Sequence, residues 1–366
     1  MPIYMDIHNV PGVEAQDVAE AHRKDLLIQD AHNCKCITYW IDEARGNAFC
    51  LIDAPSEKVV EEIHRKAHGL VPNKVIEVSN ELVQSFLGRI YDPEAVTFSD
   101  NGLKVFSDSA FRILLVTDSI DPVLLQHNYG KDKTAVLLNT ISRTIKKELA
   151  ANSGSLVEHG GSGFIGSFTS ATNAINCALN IQKNLSDTDK NTAGLKIVLN
   201  AGEPVEKSNR IFGDTIQLAR QLSTISSNNK VVVGTTVKAL IAPDSIKREH
   251  PYFLTMHPED ETVTSLICDK LERAWQDTDF TVAEFCTAMT MSKSQLYRKT
   301  KTIWGLSPNE LLNEYRLNKA RLLLKSQRFN IAETTFDCGF SSPSYFTKCF
   351  KNKFGLLPAS YLNLLQ

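Results

Sequence analysis

The spacing of apolar and polar positions changes character twice along this 366-residue chain. In the first eighty residues, short alternating runs are interleaved with two longer amphipathic ones. "PIYMDIH", "CITYWID", "NAFCLID" and "KVIEV" have the period and the β-branched or aromatic content of strands, the middle two joined by the turn "EARG". "VEAQDVAEAHRKDLLIQDA" predicts a helix whose apolar positions include Val18, Ala21 and Leu26 or Leu27. "SEKVVEEIHRKAHGL" predicts a second helix, N-capped by Ser56 and stopped by Gly69. The order βαββαβ over residues 1–80 implies a ferredoxin-like sandwich, with both helices on one face of a four-stranded sheet.

Residues 81–109 are expected to be a linker, and 110–242 a second α/β unit. There "FRILLVTD" and "LKIVLNAG" read as buried strands, "SLVEHGGSGFIGSF" as a hairpin, and "TAVLLNTISRTIKKELAA" and "ATNAINCALNIQKNL" as helices. A polar, proline-containing stretch, 243–264, is expected to link this unit to the last one. From 265 to 366 strand signals vanish and the pattern is helical throughout. The expected class is therefore a multidomain α+β protein.

The helical end repeats itself. Ser344, Lys351, Gly355, Leu356 and Pro358 each fall fifty residues after Ser294, Lys301, Gly305, Leu306 and Pro308. Each copy parses as a short helix, a turn and a second helix. The second helices start after Ser292, a good N-cap, and at Pro343, a residue favoured in a first helical turn. In such a helix-turn-helix the second helix enters the major groove of DNA, so exposed polar and basic side chains there reach base edges and phosphates. "PNELLNEYRLNKARLLLKS", between the copies, predicts a helix about 27 Å long at 1.5 Å per residue. That length can hold two recognition helices about one DNA turn, ~34 Å, apart.

Charge sharpens this division. Up to Ile90 there are 9 basic and 14 acidic residues, whereas after Thr264 there are 14 basic and 9 acidic, although the net charge is only −2. Five of the nine histidines, His8, His22, His32, His64 and His68, lie in the first 68 residues. No run of about 18 apolar residues could cross a bilayer and the N-terminus lacks a signal-peptide pattern, so a cytoplasmic protein without a membrane partner is expected. Eight cysteines without a disulfide rhythm are expected as thiols, with metal binding or bridging left open for Cys34, Cys36 and Cys50.

"MSKSQLYRKTKTIWGLSPNELLNEYRLNKARLLLKS" followed by "IAETTFDCGFSSPSYFTKCFKNKFGLLPASY" resembles the DNA-binding domain of AraC/XylS-type transcription regulators. The resemblance implies an all-α tandem helix-turn-helix and double-stranded DNA as partner. It places Ser294, Tyr297 and Arg298, then Ser344, Tyr345, Thr347 and Lys348, toward bases, with Lys293, Lys301 and Lys351 toward phosphates. Thr334 and Thr335 stand where that family usually carries small or apolar residues.

His64 and His68, four apart on a predicted helix, share a face within reach of one ion, with Glu61 on its neighbouring edge. His22, Asp25 and Gln29 form a stripe on the other helix, and His8 ends the first strand. Imidazole-rich sites suit nickel, zinc or copper, and ligand chemistry alone leaves the ion open. "DIHNVPG", "AHRKDLL", "YWIDEARGNAFCLIDAP" and "IHRKAHGLVPNKVIEV" are similar to a family of small bacterial ferredoxin-like proteins described as nickel-binding. That resemblance implies a dimeric sandwich and a nickel site, with His22, His64 and His68 as first candidates and His8 and Asp25 next.

"ILLVTDSID", "GSLVEHGGSGFIGSF" and "LKIVLNAGEPVEKSNRIFGDTIQLARQL" resemble the class III nucleotide cyclase domain. In that family two aspartates hold two metal ions, and an Asn and an Arg steady the phosphates. Here Asp118 and Arg220 remain, but Ser162 replaces the second aspartate and Gln217 the Asn. A serine hydroxyl brings no charge to a divalent ion, so a degenerate, non-catalytic fold is expected, serving dimerisation or small-ligand sensing. The sequence thus points to a metal-responsive, homodimeric transcription regulator. The competing readings are an active nucleotide cyclase tethered to DNA and a regulator sensing an organic ligand without metal.

Overall fold

The computed structural model describes residues 1–94, 96–99, 102–118, 121–158, 163–186, 195–225, 230–241 and 252–365. Its first unit follows the expected order: β1 (Ile3–Asn9), α1 (Ala15–Ile28), β2 (Lys35–Asp42), β3 (Asn47–Asp53), α2 (Glu57–Ala67) and β4 (Lys74–Val78). The strands lie in the order β2-β3-β1-β4, all neighbours antiparallel. Ser56 has the extended backbone of an N-cap, but its hydroxyl makes no capping bond; Gly69, at φ +84°, turns the chain after α2. The stripe of α1 departs from expectation. Val18 is buried, but Leu26 and Leu27 are 41% and 72% exposed, while His22 and Asp25 take the inward positions.

The stretch 81–109 is built into the structure. α3 (Asn80–Leu87), capped by Ser79, buries Val83, Phe86 and Leu87. A small hairpin, β5 (Thr97–Phe98) and β6 (Lys104–Val105), carries Leu103 and Phe106 beside it into the core under α1. Phe106 stacks on Tyr39 with ring centroids 4.2 Å apart.

The second unit comprises β7 (Arg112–Thr117), α4 (Pro122–Tyr129), α5 (Lys131–Ala151), β8 (Ser155–Glu158), β9 (Phe164–Phe168), α6 (Ala171–Ser186), β10 (Ile197–Gly202), α7 (Gly213–Ser223), β11 (Val231–Val233), α8 (Thr235–Ala239) and β12 (Phe253–Thr255). Its sheet runs β12-β11-β10-β7-β9-β8. β8 and β9 pair antiparallel, as the hairpin reading requires; the intervening "HGGS" lies outside the described residues. β12, within the second expected linker, extends this sheet beside β11.

Strand alternation joins the two units. On β1, Asp6 and His8 face α1 and α2, while Met5 and Ile7 point the other way. Met5, Ile7, Phe49 and Leu51 form one cluster with Phe86, Leu114, Val116 and Phe212, so the open face of the sandwich is covered from within the chain. Asn47 Nδ2 donates to Glu203 Oε1 at 2.7 Å and Lys74 Nζ to the Ser208 carbonyl at 2.8 Å, which fix the rim.

The last unit is helical: α9 (Pro258–Ala274), α10 (Val282–Met289), α11 (Lys293–Trp304), α12 (Pro308–Lys325), α13 (Ile331–Asp337), α14 (Pro343–Phe354) and α15 (Pro358–Asn363). Reciprocal capping boxes start α10 (Thr281/Glu284), α11 (Ser292/Gln295), α12 (Ser307/Glu310) and α13 (Asn330/Glu333). Each cap contributes about 1 kcal/mol, which suits short helices that cannot sustain themselves. The two copies have separate cores, one around Phe285, Leu296 and Leu312, the other around Phe340, Phe346, Phe350 and Tyr361. Arg316 on α12 bridges them by donating through Nε to the Trp275 carbonyl at 2.9 Å. Gly339, at φ +72°, lets the chain pass close by: a Cβ there would lie 2.5 Å from that carbonyl.

The middle unit grips this helical unit at two places. α7 and Thr224 meet α9 and α11: Gln221 Nε2 donates to Asp269 Oδ1 at 2.7 Å, and Trp304 Nε1 to Thr224 Oγ1 at 2.9 Å. α4 inserts Val123 into the core of the second copy. Beside it the Tyr361 hydroxyl donates to Asp121 Oδ2 at 2.7 Å, and Arg321 Nη1 lies 3.0 Å from the same oxygen.

Candidate metal centre and nucleic-acid interface

The two helices of the first unit pack over β1 and bring four of the five expected metal ligands together. Asp25 comes from α1, His64 from α2, His68 from its C-cap and His8 from β1. His64 is at the centre: its Nδ1 is 3.1 Å from His68 Nε2 and 3.2 Å from Asp25 Oδ2, and its Nε2 donates to Asp6 Oδ2 at 2.8 Å. His8 Nε2 lies 3.5 Å from Asp6 Oδ1, and its ring meets the His64 ring edge-on, centroids 4.8 Å apart. Donor atoms of Asp25, His64 and His68 fall within 4.8 Å of one another, as do those of Asp6, His8, Cys50 and His64. His22, expected among the first ligands, belongs to neither group; it is buried against Tyr39, ring centroids 5.3 Å apart. Glu61 is likewise in neither group. Cys34 and Cys36 are buried free thiols outside both groups.

Asp6 is the member that pattern reasoning misses, while of the three cysteines left open only Cys50 belongs to a group. The usable signal is the D-x-H spacing on a strand, which must put Asp6 on the same face as His8. For Cys50, pairing of β1 with β3 sets the position, and its backbone N–H donates to Asp6 Oδ1 at 2.9 Å.

Burial alone would raise the Asp6 carboxyl, but the charges and hydrogen bonds of His8 and His64 outweigh it and hold Asp6 well below the usual carboxylate range. Asp25 behaves alike: burial opposes ionisation, yet bonds from His64 and His68 lower its pKa. Burial disfavours the His64 cation, but Asp6 and Asp25 push its pKa up to about 10. Burial lowers His22, with Asp25 opposing. A divalent ion fits these residues. Three lone-pair donors of His64, His68 and Asp25 converge on one another, with the buried Asp25 Oδ1 facing His68 Nε2 at 3.3 Å. Imidazole and carboxylate donors suit nickel or zinc, and uptake would displace the His64 proton.

A pH dependence follows for the metal-free chain. His64 has a raised folded pKa, so its contribution is complete below its ordinary 6.5 and fades as pH rises through about 10. Asp6 is depressed, so its contribution is complete above 3.8 and is lost as pH falls. Melting of the N-terminal unit in chelator is expected to be highest between roughly pH 4 and 6.5 and to decline toward pH 10. A circular-dichroism melting series without an alkaline decline would contradict this.

The recognition helices leave their expected base-facing side chains outward. Leu296 and Thr300 of α11 are buried, whereas Ser294, Tyr297 and Arg298 are exposed. In α14 Phe346 and Phe350 point inward, Ser344, Tyr345 and Lys348 outward, with Thr347 half-buried. Lys293 and Lys351 are exposed. Lys301 is engaged: its Nζ donates to the Gly305 carbonyl at 3.0 Å and pairs with Glu310 at 3.4 Å, closing the C-terminus of α11. Thr334 and Thr335 are fully buried; Thr335 donates to the Ile331 carbonyl, while the Thr334 hydroxyl has no partner.

Of the cyclase-type residues, Ser162 lies outside the described residues. Asp118 follows β7, and its charge acts on Arg220, whose pKa is lowered mainly by burial and by Arg210. Gln217 Nε2 donates to Asp269 on α9 at 3.2 Å.

Residues 285–363 match the family described as helix-turn-helix domain, and residues 4–78 the family described as nickel responsive protein SCO4226-like. Histidine kinase P4 of Formosa agariphila is 33% identical over 113 residues, 29% of this chain and 8% of that protein. HTH-type transcriptional regulator MtrA of Neisseria gonorrhoeae is 35% identical over 95 residues, 26% of this chain and 30% of that one. The chain thus spans well under two thirds of these curated relatives. The crystal structure of SCO4226 from Streptomyces coelicolor A3(2) aligns at 30% identity over 21% of this chain and 94% of that one, TM-score 0.20. An adenylate/guanylate cyclase/hydrolase from Silicibacter pomeroyi aligns at 26% identity over 35% and 78%, TM-score 0.30. Among the described residues no helix is long and apolar enough to cross a membrane. The chain therefore carries a SCO4226-like domain at its N-terminus and an AraC-type helix-turn-helix domain at its C-terminus.

Proposed function

We propose that this protein is a sequence-specific DNA-binding transcription regulator of the AraC family whose affinity for its operator is set by a divalent transition metal, nickel first. The observation that carries the DNA half is the duplicated helix-turn-helix, with Tyr297, Arg298, Tyr345 and Lys348 at its surface on helices N-capped by Ser292 and Ser342. Asp25, His64 and His68 would hold the ion, with Asp6 orienting His64 and His8 from behind. The ion supplies positive charge in place of the His64 proton.

Metal can change DNA affinity only by favouring one of two arrangements of the chain. The supporting feature is β1: Asp6 and His8 touch the centre while Met5 and Ile7 pack on the middle unit, which in turn holds both helix-turn-helix copies. We read that middle unit as a non-catalytic scaffold that also pairs two chains. In sequence Ser162 brings no charge where a second metal-binding aspartate would stand, and Gln217 is occupied by Asp269. The test is operator affinity at fixed salt with nickel and with chelator. Equal affinity in both would remove the metal-response half of the proposal.

For the DNA half, Arg298→Ala is expected to cost about 1–3 kcal/mol of specific affinity and to relax base preference at one position of the site. Lys351→Ala should weaken all sequences alike and flatten the salt dependence by about one ion. Binding titrations against a randomised-operator library separate the two, and identical behaviour of the variants would refute the assignment of roles.

A further inference from the structure

We propose that the metal centre is the inner end of a pocket for a metal chelate: a divalent ion bound together with a small bidentate organic chelator whose apolar body fills the adjoining cavity. This rests on the metal reading above. A cavity of about 300 Å³ adjoins the cluster. At about 30 Å³ per water it has room for roughly ten waters, far more than an ion gripped by protein side chains needs. Its lining mixes two chemistries: His8, His22, Asp25, Cys50 and His68 stand among Val10, Val13, Val18, Ala21, Ala48 and Leu70.

A hydrated ion would set its water shell against those apolar side chains, where water finds few partners. A chelator with nitrogen or carboxylate donors at one end and a ring or short aliphatic body at the other matches both kinds of lining residue. Size limits it to roughly ten non-hydrogen atoms, the first-order equivalent of the same volume. His22 and Asp25 both line the pocket; the buried His22 Nδ1 has no hydrogen-bond partner, and Asp25 Oδ1 lies 3.3 Å from His68 Nε2. The exposed lining residues Pro11, Gly12, Asp17 and Leu70 give the pocket its mouth, and half-exposed Leu70 is an apolar contact left open to solvent there.

The full chain is titrated with nickel at matched free-ion activity, alone, with glycinate, and with pyridine-2-carboxylate, and native mass spectrometry reads the bound species. The expected result is a 1:1:1 complex with pyridine-2-carboxylate and at least tenfold tighter nickel retention than with glycinate. Ala21→Phe, which fills the cavity, and Leu70→Trp, which narrows its mouth, should bind nickel alone as the wild type does but lose the tenfold gain. Leu70 is half-exposed, so its variant keeps the test valid if Ala21→Phe does not fold. Nickel binding with no chelator in the complex, or a gain unchanged in both variants, overturns the chelate inference and leaves the metal reading standing. No nickel uptake in any form removes both.

Discussion

The double variant His64→Ala/His68→Ala is expected to lose nickel affinity by at least about 100-fold, about 2.7 kcal/mol, and with it any effect of nickel on operator binding. His64 contributes to both groups of converging donors, and His68 completes the one containing Asp25, so the two substitutions remove imidazoles from the heart of the site. Loss of the His64 ring has a second consequence. Asp6, fully buried, would keep the Cys50 N–H at 2.9 Å and His8 at 3.5 Å on Oδ1 but lose the partner of Oδ2, and breaking a buried charge pair costs about 3–5 kcal/mol. Failure to bind could then reflect failure to fold. His68→Ala and Asp25→Asn, made singly, separate the two causes, since both leave the His64–Asp6 contact intact. Calorimetric titration of the full chain should show weakened, still stoichiometric nickel uptake in these single variants and an unchanged far-ultraviolet spectrum. Undiminished uptake in the double variant would put the ion elsewhere. Operator binding in the presence of chelator should be the same for the wild type and the single variants, because none of these residues lies near α11 or α14.

The parts of this molecule that declared themselves in the sequence are those whose physics is local. Capping boxes, proline at first turns and glycine after α11 and α14 mark the helical unit residue by residue, because each is satisfied within a few positions of itself. The first unit was legible in element order for the same reason. Its candidate metal centre was legible only in part. Apolar periodicity assigned Leu26 or Leu27 to the inner stripe of α1, yet both are exposed and His22 and Asp25 are buried there instead. A charged group takes such a place only when partners await it, and the partners of Asp25, His64 and His68, arrive from another helix and its C-cap. The segment after Asp118 shows the limit most clearly. Nothing within a few positions of Asp121 shows what its side chain does, because its partner Tyr361 lies 240 positions away.

Asp121→Ala is accordingly expected to free the second helix-turn-helix from the middle unit. The carboxylate does three things at once. Oδ1 accepts from the Val123 N–H and caps α4, while Oδ2 accepts from Tyr361 and faces Arg321. Asp121 is 8% exposed and Tyr361 fully buried, so truncation leaves a hydroxyl and a guanidinium short of a partner in a dry interface, in addition to about 1 kcal/mol for the lost cap. A total of about 3 kcal/mol, on the order of a 100-fold shift, falls on the contact between α4 and the second core. Hydrogen exchange in α14 and α15 should accelerate by about that factor, with the first copy unchanged. Asp121→Asn keeps an acceptor and a cap, so its effect should be intermediate. DNA then distinguishes a latch from a mere prop. If the middle unit holds the two recognition helices at one separation, the wild type should discriminate sharply against operators whose half-sites are moved by a base pair or two, and Asp121→Ala should accept them more readily at some loss of peak affinity. A variant with faster exchange but unaltered spacing preference would show that α12 alone sets the separation, and that the α4 contact serves only stability.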